Sequence, residues 1–286
     1  MKKSLLIVSL AILTFVAEAQ IQTPQASPPG SVSTTVGLTD VKIDYFRPRV
    51  KGRKIFTNDA SALVPYGKIW RTGANSGTKI TFSTDVKVEG TAVPKGEYLI
   101  LTWPGADEWT VSLYKDVSLG GNTDGYDASK DAVKFKVKPQ KLSDKVETLT
   151  FNIGDISDDS KTAKVQIAWE NTSVKFSMSV DYDAQVMKSI ETATASSNAD
   201  PNTLFQAAVY YLENGKDLKK AKEWVTKAAD ANPNAFWVLH QKAKIEKALG
   251  DKAAATTSAN ASLKAAKDAN NRDYQVMNEE LLKSLK

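Results

Sequence analysis

The sequence predicts a two-domain protein in which an all-β sandwich is followed by an all-α domain built from helical repeats. Before residue 185, β-branched and aromatic residues alternate with polar ones, and clusters of Gly, Pro, Asn and Asp interrupt them. Beyond that point Ala, Lys, Leu and Glu dominate, and Gly and Pro are scarce. We predict a signal peptide over 1–19, a β-sandwich domain over 28–182, a linker over 183–200 and a helical repeat domain over 201–286.

The first residues have the pattern of a cleavable targeting segment. Two lysines follow the initial Met, an apolar run covers 5–16, and Ala-Glu-Ala at 17–19 fits the small-x-small cleavage pattern, so the mature chain begins at Gln20. The apolar run is too short for a stable membrane span. No Cys follows the cleavage site, which argues against a lipoprotein anchor. We therefore expect a periplasmic or secreted protein without a membrane span after cleavage.

Composition excludes several chemistries. The chain has no Cys, so it has no thiol catalysis, thiolate metal site or disulfide. Its one His, His240, cannot form a His-rich metal site, and on a repeat helix it is expected to be structural. Because phosphate-loop, nucleophile-elbow and His-Glu-x-x-His motifs are absent, we expect no cofactor and no metal. The formal charge of +5 becomes +4 after the signal is removed, which favours an acidic substrate or an anionic envelope surface over nucleic acid.

Nine strands are predicted in the β domain, separated by turn signals at 93–96, 104–107 and 120–122. Segment 40–46 alternates apolar and polar residues, as a half-buried strand does. Segment 97–103 is apolar almost throughout, which is typical of a central strand. The other predicted strands are 79–83, 85–89, 109–114, 132–137, 147–153, 163–170 and 172–180.

Helix boundaries are marked clearly in the second domain. Asp200 is a suitable N-cap, and Pro201 suits the first helical position. Asn214-Gly215 and Leu249-Gly250, which lie 35 residues apart, each end a helix. Segment 272–285 has the pattern of an amphipathic capping helix.

The helical domain contains an internal repeat. Ala221 and Ala255 lie 34 residues apart at equivalent points after the two turns. This period resembles tetratricopeptide repeats, with two units over 201–270. Because three units are usually needed for independent stability, the β domain or a partner is expected to cover one end. The resemblance implies a concave face that binds a protein or peptide.

The strongest candidate site is the stretch from Arg47 to Asn75. Five cationic side chains fall within residues 47–54, and rings and turn-forming residues follow them. Guanidinium groups bind carboxylate or phosphate in a bidentate manner, and Lys adds a point charge. The alternatives are a solvated basic loop, or Arg residues paired with nearby acids such as Asp40 and Asp44. The predicted ligand-binding residues are Arg47, Lys51, Arg53, Tyr66, Trp70, Arg71 and Asn75.

The rings in this stretch suggest a polar ligand, such as a glycan. Tyr66 and Trp70 could stack on a sugar face, and Arg71 and Asn75 could hydrogen-bond its edge. In the alternative interpretation Trp70 is a core residue and Arg71 neutralises a buried acid. Acidic clusters such as Asp124 and its neighbours lie in turn-like segments, where Asp is favoured for local backbone bonding, so they predict neither a glycosidase nor a calcium site.

Several motifs in the same order resemble one known family. VGLTDVKIDYFRPRVKGRKIF, LVPYGKIWRTGAN, TFSTDVKVEG, VPKGEYLI and a strand ending in AWE, together covering about 28–182, resemble domain of unknown function 2911. That family occurs in exported proteins common in Bacteroidetes-type bacteria, and helical repeats often follow the domain. The resemblance implies an exported β-rich domain and supplies no catalytic residue. Relatives tend to have Trp-Gly near Leu119, where this chain has Leu-Gly-Gly-Asn.

Three functions remain open at this stage. The first is a binding or interaction protein, with a polar or anionic ligand on the β domain and a protein partner on the helical repeats. The second is an enzyme acting on envelope polysaccharide or another acidic substrate, with Tyr66 or Lys51 as base and Arg71 stabilising charge. The third is a structural or assembly protein. The absence of the usual catalytic constellations favours binding.

Overall fold

The computed structural model describes residues 23–196 and 198–286, and the predicted signal peptide lies outside them. The chain divides into two compact units, a β unit that ends at Asp181 and a helical unit that begins at Tyr182. The predicted order of an all-β domain followed by an all-α domain is confirmed.

The described part of the β unit contains twelve strands. They are β1 (Pro29–Val36), β2 (Thr39–Phe46), β3 (Phe56–Thr57), β4 (Val64–Pro65), β5 (Thr78–Phe82), β6 (Val86–Val88), β7 (Thr91–Val93), β8 (Gly96–Trp103), β9 (Trp109–Tyr114), β10 (Asp131–Val137), β11 (Gln140–Gly154) and β12 (Thr162–Ser179). One antiparallel sheet has the order β1-β2-β5-β8-β9-β10, and a second has the order β11-β12-β6-β7. β3 and β4 form a short parallel pair.

The two sheets pack face to face as a sandwich. In β2 the residues Val41, Ile43 and Tyr45 are buried and their neighbours are more exposed, so the predicted alternation is confirmed. The Tyr45 ring meets Phe151 of the second sheet, with ring centroids 4.7 Å apart. Farther along, Phe135 of β10 meets Phe176 of β12 at 5.3 Å. Aromatic contacts between the sheets therefore form much of the core.

β8 is buried on both faces, which explains its nearly continuous apolar sequence. Its inner face points into the sandwich, and its outer residues Leu99 and Leu101 are fully buried as well. Leu119 and Tyr126, from the segment between β9 and β10, pack over that outer face. A strand covered on both sides requires apolar residues at successive positions, as the sequence predicts.

The predicted strands 163–170 and 172–180 are one continuous strand, β12. The prediction of two strands was wrong because Glu170-Asn171 forms a bulge and not a turn. Glu170 has a positive φ of 55°, and the register between β11 and β12 shifts beside it. The Glu170 carboxylate accepts hydrogen bonds from the backbone and side-chain amides of Asn171, at 3.1 and 3.2 Å. A bulge bends a strand without ending it.

Six helices form the described part of the helical unit. They are α1 (Asp183–Thr194), α2 (Pro201–Glu213), α3 (Leu218–Ala231), α4 (Phe236–Ala248), α5 (Lys252–Asp268) and α6 (Arg272–Lys283). α1 occupies most of the segment predicted as a linker, and its Met187 and Ile190 pack against the helical core. Asp200 caps α2 through a 3.0 Å bond from the Thr203 amide to its carboxylate, as predicted. None of the helices in 23–196 and 198–286 has the length and apolarity needed to cross a bilayer.

Small residues allow the helices of this unit to approach closely. Ala207 and Ala208 of α2 and Ala221 of α3 are fully buried, and α2 packs against α3. α4 contacts α2, α3, α5 and α6. Short connections between successive helices make neighbours antiparallel. Both α2 and α6 contact α4, and residues of all three helices line one groove.

A buried polar chain joins the last three helices. His240 of α4 is 4% exposed, and its Nδ1 lies 2.9 Å from Oδ1 of Asn278 in α6. The Asn278 amide donates to Ser262 of α5 at 2.8 Å, and the Ser262 hydroxyl donates to the carbonyl of Phe236 at 2.7 Å. Buried polar groups must be paired to avoid a desolvation penalty, so these residues fix how α4, α5 and α6 meet.

The helical unit should lose stability in mild acid. Burial, together with the nearby Lys244 charge, lowers the pKa of His240 below its ordinary value of 6.5, although the bond to Asn278 opposes the shift. In the unfolded chain His240 therefore takes up a proton near pH 6.5, whereas in the folded chain it takes up the proton only at a lower pH. Stability falls as the pH drops below 6.5, down to the lowered pKa. Thermal unfolding followed by helical circular dichroism should show a lower midpoint at pH 5.5 than at pH 7.5.

His240→Gln removes this titration and keeps a side-chain donor for Asn278. The variant should therefore show a smaller change in unfolding midpoint between the two pH values than the native chain. An equal pH dependence in both proteins would show that His240 is not responsible.

Candidate functional site

The basic segment 47–54 packs along the edge of β11. Arg49 forms a backbone bridge with Thr148, and the amide of Leu149 donates to the carbonyl of Pro48 at 2.9 Å. The Arg47 guanidinium is half-buried and donates to the carbonyl of Leu149 at 3.3 Å and to the hydroxyl of Thr150 at 3.2 Å. Arg47 therefore ties this segment to the second sheet.

Lys51 and Arg53 belong to a tight turn. The positive φ of Lys51 (48°) and Gly52 (69°) reverses the chain, and the Lys51 amide donates to the Glu147 carboxylate at 2.8 Å. This bond is the main reason that the pKa of Glu147 is lowered. The Arg53 guanidinium turns back to donate to the carbonyls of Val50 (3.1 Å) and Arg49 (2.5 Å). The guanidinium groups of Arg47 and Arg53, which were both predicted to bind an anion, therefore donate hydrogen bonds within the protein.

Trp70 lies in the core of the β unit. Its side chain is 7% exposed, its ring stacks on Trp169 at 5.6 Å, and its Nε1 donates to the carbonyl of Gly73 at 3.1 Å. Phe56 and Trp109 complete an aromatic cluster around it. With this burial a ligand cannot stack on the ring, and the geometry matches the core interpretation of Trp70.

The turn that follows Trp70 is unusual in its backbone. Thr72 is fully buried and has a positive φ of 54°, which is rare for a β-branched residue. Its hydroxyl lies 3.0 Å from that of Thr102, and its carbonyl accepts a 2.7 Å bond from the hydroxyl of Thr78. A side chain at Gly73 would lie 2.9 Å from the Thr78 hydroxyl. Dense packing therefore holds a conformation that costs backbone energy.

Arg71 and Asn75 lie together at the outer end of this turn. The Arg71 Nη1 donates to the carbonyl of Asn75 at 3.2 Å, and Asn75 has a positive φ of 53°. The loop containing Gly121 presses on both residues, because a Cβ at Gly121 would lie 2.0 Å from the Asn75 oxygen and 2.7 Å from Arg71 Nη1. The Leu-Gly-Gly-Asn segment at 119–122 therefore has a glycine where a side chain has no room.

Tyr66 lies elsewhere, in a groove of the β unit with a volume of about 330 Å³. The groove runs between the turn after β8 and the bulge in β12. Burial raises the pKa of Tyr66, and the nearby charges of Glu170 and Asp107 raise it further. Its walls are formed by Phe56, Tyr66, Gly105, Ala106, Pro139, Gln140, Lys141, Glu170, Asn171 and Thr172.

The structure divides the predicted site residues among separate places. Arg47, Lys51 and Arg53 follow the edge of β11, and Arg71 and Asn75 lie against the Gly121 loop. Segment 66–70 runs antiparallel to the end of β8, with Gly67 bonded to Pro104 and Trp70 to Thr102. Tyr66 therefore lies at one end of this segment, and Arg71 lies beyond the other end. The seven residues do not line one pocket.

A polar cluster on the outer face of β8 to β10 was missed. The Tyr126 hydroxyl donates to Asp131 at 2.6 Å, and Lys134 donates to Tyr126 at 3.0 Å while lying 4.2 Å above the Trp103 ring. Ser112 also donates to Asp131. Burial raises the pKa of Tyr126, and the hydrogen bond to Asp131 raises it further. The bonds of this cluster fasten the segment over β8. The signal in the sequence was the nearly continuous apolar run at 97–103, which requires a cover.

The groove residues Gln140, Glu170 and Asn171 were also missed. The sequence placed Glu170 at the end of a strand, and β-strand patterns carry no signal for a bulge that turns a side chain into a groove.

The described part of the chain contains no group of three or more His, Asp or Glu side chains arranged to hold a metal ion.

Substitutions should show that Trp70 and Arg71 contribute differently to the stability of the β unit. Trp70→Ala leaves a cavity in the aromatic cluster and should lower the free energy of unfolding by about 3–5 kcal/mol. Arg71→Ala removes an exposed side chain with one backbone bond, so its effect should be about 0.5–1.5 kcal/mol. Urea unfolding monitored by tryptophan fluorescence measures both. Equal losses would mean that Arg71 supports the core as strongly as Trp70.

Comparison with known proteins identifies the family of the β unit. No curated protein matches it. The solution structure of protein BPP2914 from Bordetella parapertussis is similar at 19% sequence identity, covering 35% of this chain and 86% of that one, with a TM-score of 0.31. The family described as protein of unknown function (DUF2911) matches residues 27–178, which is more than half of the chain. The chain belongs to the DUF2911 family.

Proposed function

We propose that this chain is an exported binding protein whose β unit holds a polar, uncharged ligand of the glycan class in the Tyr66 groove. The supporting observation is the groove itself, because it is concave and combines an aromatic ring with amide, hydroxyl and carboxylate groups. Such a mixture of one apolar wall and several hydrogen-bonding groups is typical of small-molecule sites. Its volume of about 330 Å³ suits one or two sugar rings.

The charges of the groove favour a neutral ligand. Lys141 and Glu170 both line the groove, so its positive and negative side chains balance. Glycan hydroxyls both donate and accept hydrogen bonds, and the side chains of Gln140, Glu170 and Asn171 offer both kinds of partner. The Arg47 and Arg53 guanidiniums bond to backbone carbonyls, which reduces their capacity to hold an anion.

Catalysis is supported less well. The raised pKa of Tyr66 keeps its phenol protonated near neutral pH, so Tyr66 is a poor general base. The side chain of Lys51 is exposed on a turn against β11, away from the walls of the groove. A purely structural role explains the turn after Trp70 but does not explain the groove beside Tyr66.

The helical unit supports the second half of the proposal, binding of a protein partner. Both α2 and α6 contact α4, and the turns end at Gly215 and Gly250 with positive φ, as in a tetratricopeptide-like arrangement.

The signal-like pattern at 1–19 supports export to the periplasm or beyond the cell.

Titration calorimetry of the full-length protein with envelope glycans and neutral oligosaccharides tests the β-unit site. Tyr66→Ala should weaken the binding of the glycan about 10- to 100-fold. The substitution removes an aromatic ring whose burial contributes about 1.5–3 kcal/mol to the free energy of binding. Tyr66→Phe separates the ring from its hydroxyl. Arg71→Ala, an exposed residue outside the groove, is the control and should bind normally.

Two results would contradict the glycan site. One is an absence of heat with every saccharide tested, and the other is binding that Tyr66→Ala leaves unchanged. Binding that is lost with Arg71→Ala and kept with Tyr66→Ala would move the site to the outer turn.

A further inference from the structure

We infer that the groove between α2, α4 and α6 binds a peptide segment in which an acidic side chain is flanked by apolar ones. The inference rests on the proposed protein-binding role of the helical unit and names the chemistry of its partner. It is carried by two features of one groove, the apolar residues in its lining and a Lys that has no carboxylate within ion-pair distance among residues 198–286.

The groove has a volume of about 560 Å³, and four of the nine residues that line it are apolar. Leu212 of α2, Ala248 of α4 and Leu281 of α6 line it, and Met277 contributes a flexible side chain that is 41% exposed. An exposed Met beside aliphatic residues is characteristic of adaptable peptide-binding surfaces. These residues provide sites for the apolar side chains of a partner.

Lys244 lies in this groove and is half-buried. Among residues 198–286 the structure gives its ammonium group no carboxylate within ion-pair distance, whereas Lys222 pairs with Asp251 at 3.1 Å. The neighbouring Lys247 donates to the Ser284 hydroxyl at 2.7 Å and adds a second positive charge to the same side. A partly desolvated ammonium group gains most from a carboxylate that arrives with the ligand.

Glu280 limits where the acidic group of the partner can lie. It lines the groove from α6, opposite the lysines of α4, and repels a carboxylate on its own side. The groove therefore has a positive wall and a negative wall. An acidic side chain fits the α4 wall only, which fixes the orientation of a bound peptide.

His240 offers a second polar contact in the same groove. The Asn278 amide group donates to Ser262 and to the carbonyl of Tyr274, so its oxygen faces His240 and Nδ1 carries the hydrogen. Nε2 then keeps its lone pair as an acceptor. Because His240 lines the groove, a peptide N–H is a suitable donor to Nε2, next to the acidic side chain held by Lys244.

Fluorescence anisotropy with the full-length protein provides the test. The probes are three short labelled peptides that differ only in a central residue, Asp, Asn or Lys, between leucines. The Asp peptide should bind about tenfold more tightly than the Asn peptide, which corresponds to about 1.4 kcal/mol. Lys244→Met should remove this difference, and Lys244→Glu should favour the Lys peptide.

Lys242→Met is the matched control, because Lys242 lies on the same helix outside the groove lining. It should leave the preference for Asp intact, and circular dichroism should show that all three variants are folded. Equal binding of the Asp and Asn peptides by the native protein would overturn the inference and leave protein binding in place. Binding of none of the peptides would overturn it too, and the saccharide titration shows separately whether the β-unit site stands.

Discussion

The two backbone hydrogen bonds that join Trp70 to Thr102, at 2.7 and 3.0 Å, position the aromatic cluster and the turn that leads into β5. They align segment 66–70 with the end of β8, as if the segment were one more strand. Side chains of a strand alternate between its two faces. Trp70 is therefore directed inward to the aromatic cluster, while Ile69 packs over the outer face.

The same pairing explains why a motif with the composition of a binding loop is a structural element. Once Trp70 is buried, the chain must reverse within a few residues to enter β5. Thr72, Asn75 and Gly77 accomplish this with positive φ, and the hydroxyls of Thr78 and Thr102 stabilise Thr72. The cost of these conformations is offset by the burial of a large aromatic ring.

The helical unit is organised by a different constraint. Closely packed alanines set the spacing of α2 and α3, whereas the chain of His240, Asn278 and Ser262 sets that of α4, α5 and α6. An apolar core of small residues permits some sliding, but a buried hydrogen-bond chain has one arrangement in which each bond is made. The groove beside His240 therefore has walls of defined position.

The sequence by itself determined the order of the two units, the alternating strand β2, the doubly covered strand β8 and the helix ends at Gly215 and Gly250. These features depend on the period of apolar residues and on capping, which are local properties. Only the tertiary structure decided that Trp70 is buried, that Glu170 turns into the Tyr66 groove and that Lys244 has no carboxylate within ion-pair distance among residues 198–286. Those outcomes depend on strand pairing and on contacts between residues distant in the chain, and a local pattern carries no information about either.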